Sequence, residues 1–226
     1  MHKVHKHALA LCALAALCII GLIVFVSHYP ISSFDFYITK EIQELKIGNF
    51  TSLMTFISMF GNSGIMPGSV LLVSLIFFVT HYHRESRYIL LVLIVDTLNV
   101  LVKLLVNRSR PTPENAMVLL QFDHPAFPSG HVVHYVVFFG FLITVMIMKK
   151  KIRLWYRLLI GLFSAFLIFS VSISRIYLGA HWATDVLGAY LFGFIYLAIF
   201  LTFYLKDLIK HHGLDPEKKD FIHAAS

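Results

Sequence analysis

Seven ionisable side chains suited to binding and cleaving a phosphate ester stand in three short stretches of an otherwise apolar chain. Three arginines and a lysine offer positive charge and hydrogen-bond donors to phosphate oxygens. Two histidines and an aspartate suit acid, base and nucleophile chemistry. The stretches are KLLVNRSRP at 103–111, PSGH at 128–131 and SRIYLGAHWATD at 174–185. Ionisable groups in or near a bilayer are expensive and mark functional sites, so the pattern favours a membrane enzyme acting on a phosphorylated substrate.

His181 and Asp185 are four residues apart, and on a helix they share one face. Asp185 can accept a hydrogen bond from one ring nitrogen of His181, which fixes the tautomer and leaves the other nitrogen free to attack. A structural histidine–aspartate bond at a helix start has the same sequence pattern. The pair alone therefore leaves both interpretations open.

His131 follows Pro128, Ser129 and Gly130 at the predicted start of an apolar helix. A helix start presents unpaired N–H groups and attracts anions, and Gly130 lets a ligand approach the backbone closely. The alternative is an ordinary turn in which Ser129 only caps the helix.

The composition is typical of an integral membrane protein. The chain has 226 residues, of which 58% are hydrophobic and 14% are charged, against about 45–50% and about 25% in soluble domains. We expect a single membrane domain over residues 1–226, ending in a polar cytoplasmic tail at 206–226. The net charge of +7 flanks the apolar runs, which suits anionic lipid headgroups and not nucleic acid.

The apolar runs predict an all-α, polytopic bundle of six transmembrane helices, since a span needs about 20 apolar residues. No small-x-small cleavage site follows the first run, so we interpret it as an uncleaved anchor. After it, Phe34, Ile38, Ile42 and Leu45 recur at helical spacing, which indicates either an interfacial amphipathic helix or an ordinary connecting helix. The six predicted spans are 8–26, 65–80, 88–106, 132–148, 154–173 and 182–205.

Basic residues set the orientation. With both termini in the cytoplasm, 13 of the 19 lysines and arginines lie on the inner side, as the positive-inside rule requires. All three motif stretches then lie on the extracytoplasmic side. Cations at helix ends commonly reach toward lipid headgroups, but Lys103, Arg110 and Arg175 stand where positive charge is disfavoured, which favours a specific use.

Of four polar neighbours of these stretches, three have two interpretations each. Asn99 precedes Lys103 by one helical turn, so both are expected to face the bundle interior. Asp96 either makes a structural polar bond or shapes the site. His134 either packs or bonds to backbone, or it lines the pocket. Arg108 either meets lipid headgroups or assists with substrate.

Taken together, the three stretches resemble the signature of the type-2 phosphatidic acid phosphatase superfamily. The matching pattern is K-x6-RP from Lys103, PSGH from Pro128 and SR-x5-H-x3-D from Ser174. Order, spacing and residue identity all fit, and the resemblance covers a phosphatase core of about residues 50–205.

The resemblance implies a role for each motif residue. His181 is the expected nucleophile, which forms a phosphohistidine. Asp185 orients His181, and His131 protonates the leaving group. The family needs no metal or other cofactor, and the sequence has no acidic cluster suited to Mg²⁺. The expected phosphate-binding residues are Lys103, Arg110, Ser129, Gly130 and Arg175.

The resemblance further implies a lipid phosphate substrate, with phosphatidylglycerophosphate, phosphatidate and undecaprenyl diphosphate as candidates. The expected location is the bacterial inner membrane, and no protein partner is evident. One alternative is a lipid phosphotransferase with the same site, and another is a non-catalytic lipid-binding or transport protein. Vanadate-dependent haloperoxidases have a similar signature, but they are soluble, so the apolar spans argue against them.

Overall fold

A computed structural model describes residues 2–45 and 48–212 of the chain. Within these ranges the protein is all-helical, as predicted, with eight α-helices and no strand. The helices are α1 (His2–His28), α2 (Ser33–Gln43), α3 (Phe50–Met59), α4 (Ile65–Val79), α5 (His83–Val106), α6 (Gly130–Met148), α7 (Leu154–Tyr177) and α8 (Ala183–His212).

Helix α6 is the central helix of the bundle. It packs against α5, α7 and α8, and its residues from Val132 to Leu142 are all buried. An apolar surface on every side is typical of a helix enclosed by other helices. The first residues of α6 are therefore held in a rigid surrounding, and His131 is among them.

Four of the described helices, α5 to α8, are long and apolar enough to cross a membrane. The described part of α1 and helix α2 pass the same test only as a pair, bent by 90°. Helices α3 and α4 are apolar but shorter. The protein is thus an integral membrane protein with four or five clear spanning candidates, and the count of six stays a prediction.

Several predicted boundaries differ from the observed helices. The predicted span at 65–80 corresponds to α4, but it is preceded by α3, a helix that we did not predict. Helix α8 continues past residue 205 to His212, and residues 213–226 of the predicted tail lie outside the described residues. Helix α2 coincides with the predicted amphipathic segment and begins with a capping box between Ser32 and Asp35.

The antiparallel order of α5 to α8 brings the three motif stretches to one end of the bundle. Lys103 lies in the last turn of α5, and Arg175 lies in the last turn of α7. Helices α6 and α8 begin at this same end. Chain reversal alone therefore collects residues that are up to 82 positions apart in the sequence.

A long loop, residues 107–129, crosses this end of the bundle. The backbone N–H groups of Leu119 and Leu120 donate to the carbonyl oxygen of Leu178. Gly179 has φ +68°, and a Cβ at this residue would lie 2.0 Å from the carbonyl oxygen of Met117. Only glycine fits this close contact, which fixes the loop against the α7–α8 connection.

Candidate active site

The imidazole of His181 lies between the carboxylate of Asp185 and the guanidinium of Arg110. Its Nδ1 is 3.4 Å from Oδ2 of Asp185, and its Nε2 is 3.3 Å from Nη1 of Arg110. Arginine can only donate, so Nε2 must be the accepting nitrogen and Nδ1 must carry the proton. The surroundings therefore select the tautomer whose lone pair is on Nε2.

The ring of His181 is buried, and it is surrounded by cations. Burial lowers the pKa of His181 well below its ordinary value, and Arg110, Lys103, Arg175 and His131 lower it further. The imidazole is thus neutral at physiological pH, which is the form that a nucleophile requires.

Asp185 is held from two directions besides His181. Its Oδ2 accepts from the backbone N–H of Trp182 at 2.9 Å, and its Oδ1 accepts from Nη1 of Arg108 at 2.6 Å. Arg108 is only 4% exposed. The interpretation that Arg108 meets lipid headgroups was wrong, because its guanidinium is enclosed and paired with carboxylates.

The second carboxylate on Arg108 belongs to Asp35 in α2. Oδ2 of Asp35 accepts from Nη2 of Arg108 at 2.7 Å. Asp35 also accepts from the backbone N–H and the hydroxyl of Thr184, both at 2.8 Å to Oδ1. Because Thr184 lies in the first turn of α8, the carboxylate of Asp35 stabilises the N-terminus of that helix. Asp35, Arg108 and Asp185 form a continuous buried chain of charges, named here the carboxylate–arginine bridge.

Three other cations at this end bind neutral oxygens. Lys103 Nζ donates to the carbonyl oxygens of Pro125 and Ala126, at 2.9 and 3.0 Å. Arg110 donates from Nε and Nη1 to two further carbonyls, at 2.7 and 2.6 Å. Arg175 donates from Nη1 to the hydroxyl of Ser58, and its buried Nε has no partner among the described residues. Within that part of the chain, none of the three pairs with a carboxylate.

The ring of Phe122 in the 107–129 loop contacts two of these cations. Its centroid is 4.7 Å from Cζ of Arg110 and 5.2 Å from Cζ of Arg175, within cation–π range. Burial lowers the pKa of Arg110 to about 10, so this guanidinium stays charged at neutral pH. An apolar ring on both groups excludes water and strengthens their electrostatic field.

His131 is positioned by the turn between α3 and α4. Its Nε2 is 3.4 Å from Oδ1 of Asn62, an acceptor, so Nε2 carries a proton in this arrangement. A Cβ at Gly61 would lie 2.3 Å from Cδ2 of His131, so the imidazole fits only against a glycine. We did not predict either residue. Glycine beside asparagine signals a turn, but the sequence does not indicate what that turn contacts.

Ser129 and Gly130 meet the start of α8 and the side chains of α5. The backbone N–H of Ser129 donates to the carbonyl oxygen of Asp185 at 3.2 Å. The Ser129 hydroxyl is buried, makes no cap hydrogen bond, and has no partner among the described residues. Gly130 is the first residue of α6 and lies near Asn99 and Lys103. Ser129 is therefore the N-cap residue of α6, but its side chain does not make the capping hydrogen bond of the alternative interpretation.

A cavity of about 500 Å³ opens beside His131. Lys103 and Gly130 are in its wall, as are Phe122 and His124 from the 107–129 loop. Arg110, Arg175 and His181 are not lining residues, although two of them contact Phe122. From Lys103 the cavity extends along α5 to Asn99 and Asp96.

Asp96 makes a polar bond inside the bundle, as expected, and it also lines this cavity. Its carboxylate oxygens are 3.0 and 3.2 Å from Nδ1 of His134. His134 is fully buried and stacks on Phe138, with 5.3 Å between ring centroids. The expected packing of His134 is therefore observed, while its polar partner is a carboxylate and not a backbone group. Asn99 and Lys103 are both buried and face the interior, as predicted.

Comparisons with known proteins agree with this architecture. The sequence model of the PAP2 superfamily matches residues 84–209, a range that contains all three motif stretches. A search of curated proteins gives no match.

Two crystal structures share the fold. One is described as the first transmembrane PAP2 type phosphatidylglycerolphosphate phosphatase from Bacillus subtilis, with a TM-score of 0.71 and 23% identity over 86% of this chain and 96% of that chain. The other is LpxE from Aquifex aeolicus, with a TM-score of 0.57 and 19% identity over 74% of this chain and 93% of that chain.

Proposed function

Because this chain belongs to the PAP2 superfamily, we propose that it is a membrane phosphatase that hydrolyses lipid phosphate esters through a phosphohistidine. One observation carries the proposal. Around a neutral histidine whose Nε2 lone pair faces the site, Lys103, Arg110 and Arg175 contact neutral groups and no carboxylate within the described residues. A phosphate group would give these three cations the negative charge that they lack.

In the proposed first step, Nε2 of His181 attacks phosphorus and forms a P–N bond. The P–O bond to the lipid breaks, and its electron pair leaves on the lipid oxygen. For this step His131 is the imidazolium, whose charge the bound phosphate dianion balances; it donates its Nε2 proton to that oxygen, becomes neutral and releases the dephosphorylated lipid. Asp185 accepts the Nδ1–H bond of His181 and stabilises the positive charge that develops on the ring.

In the second step, a water oxygen attacks the phosphorus of the phosphohistidine. The P–N bond breaks and returns the electron pair to Nε2 of His181, while His131 accepts the water proton. Inorganic phosphate leaves, and both histidines regain their initial protonation states. A lipid hydroxyl in place of water would turn the same intermediate into phosphotransfer.

Charge supports this assignment without a metal ion in the reaction. Set against the two buried carboxylates Asp35 and Asp185, the four cations Lys103, Arg108, Arg110 and Arg175 leave an excess of two positive charges, which a phosphate dianion would balance. Phosphoryl transfer depends mainly on positioning and on stabilising charge over the equatorial oxygens. The Ser129 hydroxyl and the first N–H groups of α6 are further donors for those oxygens.

For the membrane arrangement we propose one domain with six spans, namely α1, α4 and α5 to α8. Helix α2 would lie in the interface, because Phe34, Phe36 and Tyr37 are each about half exposed while Asp35 and Thr39 are buried. The distribution of basic residues supports cytoplasmic termini and an extracytoplasmic site in a bacterial inner membrane. The lipid tails would then stay in the bilayer while the headgroup enters the cavity.

The test uses the full chain, purified in detergent, with phosphatidylglycerophosphate, phosphatidate and undecaprenyl diphosphate as substrates. We expect phosphate release that persists in EDTA and is inhibited by vanadate. His181→Ala removes the nucleophile and should reduce turnover to background, whereas His28→Ala, an exposed histidine in α1, should retain it.

Three results would count against the proposal. Full activity of His181→Ala would refute the nucleophile. Transfer of phosphate to an added lipid acceptor without release would identify a phosphotransferase. Tight binding of lipid phosphates with no turnover would indicate a non-catalytic binding protein.

A further inference from the structure

The cavity beside His131 continues well beyond the phosphate-binding cations. Asp96, Asn99 and Lys103 are at positions i, i+3 and i+7 of α5, so they follow one face of the helix, and all three line the cavity. Asp96 is about 10 Å from Lys103 along the helix axis, at 1.5 Å per residue. The cavity is therefore longer than a phosphate group needs.

The polar groups along this extension are mainly acceptors. The side-chain oxygen of Asn99 is buried and has no partner among the described residues, and Asn99 is only 2% exposed. A buried acceptor without a donor is unusual in a folded protein, and it marks a place where a ligand can donate. The oxygen of Asn99 therefore points to a hydroxyl or amine on the bound molecule.

Asp96 supplies further acceptors. His134 uses one N–H on its carboxylate, while an ionised carboxylate has about four lone-pair sites. The side chain of Asp96 is 11% exposed, and it reaches the cavity wall. The hydrogen bond from His134 fixes the carboxylate of Asp96, and the remaining lone pairs of that carboxylate can face a ligand.

Positive charge in the cavity wall ends at Lys103. The lining residues near Asp96 and Asn99 are neutral, and they include Met66 and Val100. A second phosphate in this part of the cavity would meet the carboxylate of Asp96 without a cation to balance it. The extension thus suits an uncharged donor group and disfavours an anion.

These observations, together with the proposed function on which they rest, fix the part of the substrate that occupies the extension. With the phosphoryl group on the cations and the leaving oxygen at His131, the rest of the headgroup continues toward Asn99 and Asp96. We propose that Asp96 and Asn99 form a subsite for a hydroxyl-bearing leaving group, so that the preferred substrate is the phosphate monoester of a polyol lipid, either a glycerol headgroup or a sugar.

The test is a double-mutant cycle between the protein and the substrate. The first substrate is phosphatidylglycerophosphate, and the second is its analogue in which hydrogen replaces the secondary hydroxyl of the headgroup glycerol. On the wild-type protein, loss of this hydroxyl should lower kcat/KM roughly tenfold, because it leaves buried acceptors unpaired. On Asp96→Asn and Asn99→Leu the same change should have a much smaller effect.

The matched control is Thr97→Val, which alters an exposed residue of α5 outside the cavity. It should show the full tenfold preference of the wild type.

A sugar phosphate lipid and its deoxy analogue form a second cycle, which distinguishes the two hydroxyl sources. Coupling in either cycle supports the subsite. Equal hydroxyl effects on wild type and both variants in both cycles would overturn it, even if phosphate release itself is normal.

For undecaprenyl diphosphate, Asp96→Asn should change the relative kcat/KM in the opposite direction. Its leaving group is itself a phosphate, so Asp96→Asn should raise the kcat/KM of this substrate relative to that of phosphatidylglycerophosphate. A fall in this ratio would contradict the proposal. If Asp96→Asn does not fold, both cycles are measured with the wild type and Asn99→Leu, and equal hydroxyl effects on these two proteins in both cycles refute the subsite. Phosphate release from none of the lipids would instead refute the proposed function.

Discussion

Buried charges are paired at one end of the helix bundle, whereas three cations at the other end have no carboxylate partner among the described residues. At the end away from the motifs, Glu85 pairs with Lys149 at 3.0 Å and accepts from Tyr204 at 2.7 Å, and Arg84 pairs with Asp207 at 3.4 Å. At the motif end, Lys103, Arg110 and Arg175 bind only neutral groups within the described residues. Stability alone favours paired charges, so the unpaired cations indicate a ligand.

The carboxylate–arginine bridge shows that the motif end contains both patterns. Arg108 is the cation nearest in sequence to Arg110, yet it is neutralised by Asp35 and Asp185. A paired layer thus lies behind an unpaired one. We infer that the paired layer holds Asp185 and the start of α8 in place, while the unpaired layer binds phosphate.

The most severe test of this comparison is Arg108→Met. It leaves two buried carboxylates without their shared cation, which should destabilise the protein by about 3–5 kcal/mol and abolish activity. The measurement is thermal unfolding in detergent, with folded yield from size-exclusion chromatography. Adding Asp35→Asn removes one of the two unpaired charges, so the double variant should be more stable than Arg108→Met. A fully stable, active Arg108→Met protein would contradict the division into two layers.

The next test separates the unpaired cations from the paired ones. Arg175→Met should lower kcat/KM on the order of 10²–10³, as removal of one transition-state donor does, while Tm stays the same or rises because an unpaired buried charge is lost. Glu85→Gln at the other end should do the reverse, with a lower Tm and unchanged kcat/KM. The comparison fails if both variants respond in the same way.

The smallest expected effect is a shift in pH dependence. Burial and the surrounding cations lower the pKa of His181, and the unprotonated ring is the nucleophile, so the acid limb of kcat/KM should lie below the ordinary histidine value of about 6.5. Arg175→Met removes one of the charges that lower this pKa, so the limb should move to higher pH. A limb at or above 6.5 in the wild type would show that the cations do not act on His181 as described.

The site residues that could be predicted from sequence are those that lie close to one another in the chain or that carry a charge within an apolar run. Asp185 is one helical turn from His181, and Lys103 is a charge in an apolar run, so local periodicity was sufficient to find them. The spans α5 to α8 were predicted for the same reason, because twenty consecutive apolar residues have few alternatives.

The missed residues depend on contacts between distant segments. Asp35 contacts Arg108, 73 residues later, and Asn62 contacts His131, 69 residues later. In sequence, Asp35 looks like the polar side of an amphipathic helix and Gly61 looks like part of a turn. The partners of Arg108 come from α2 and α8, so its place among motif residues expected to bind phosphate did not indicate them.

The hydrogen bond from Arg110 to Nε2 of His181 has a consequence for substrate selection. It engages the same lone pair that attacks phosphorus in the proposed mechanism, so the imidazole of the resting protein is masked. An anion offers the guanidinium a stronger acceptor than the ring and would thereby free this nitrogen. The neutral acyl esters of surrounding lipids offer no such charge, so they would meet an imidazole whose lone pair stays engaged by the 3.3 Å contact.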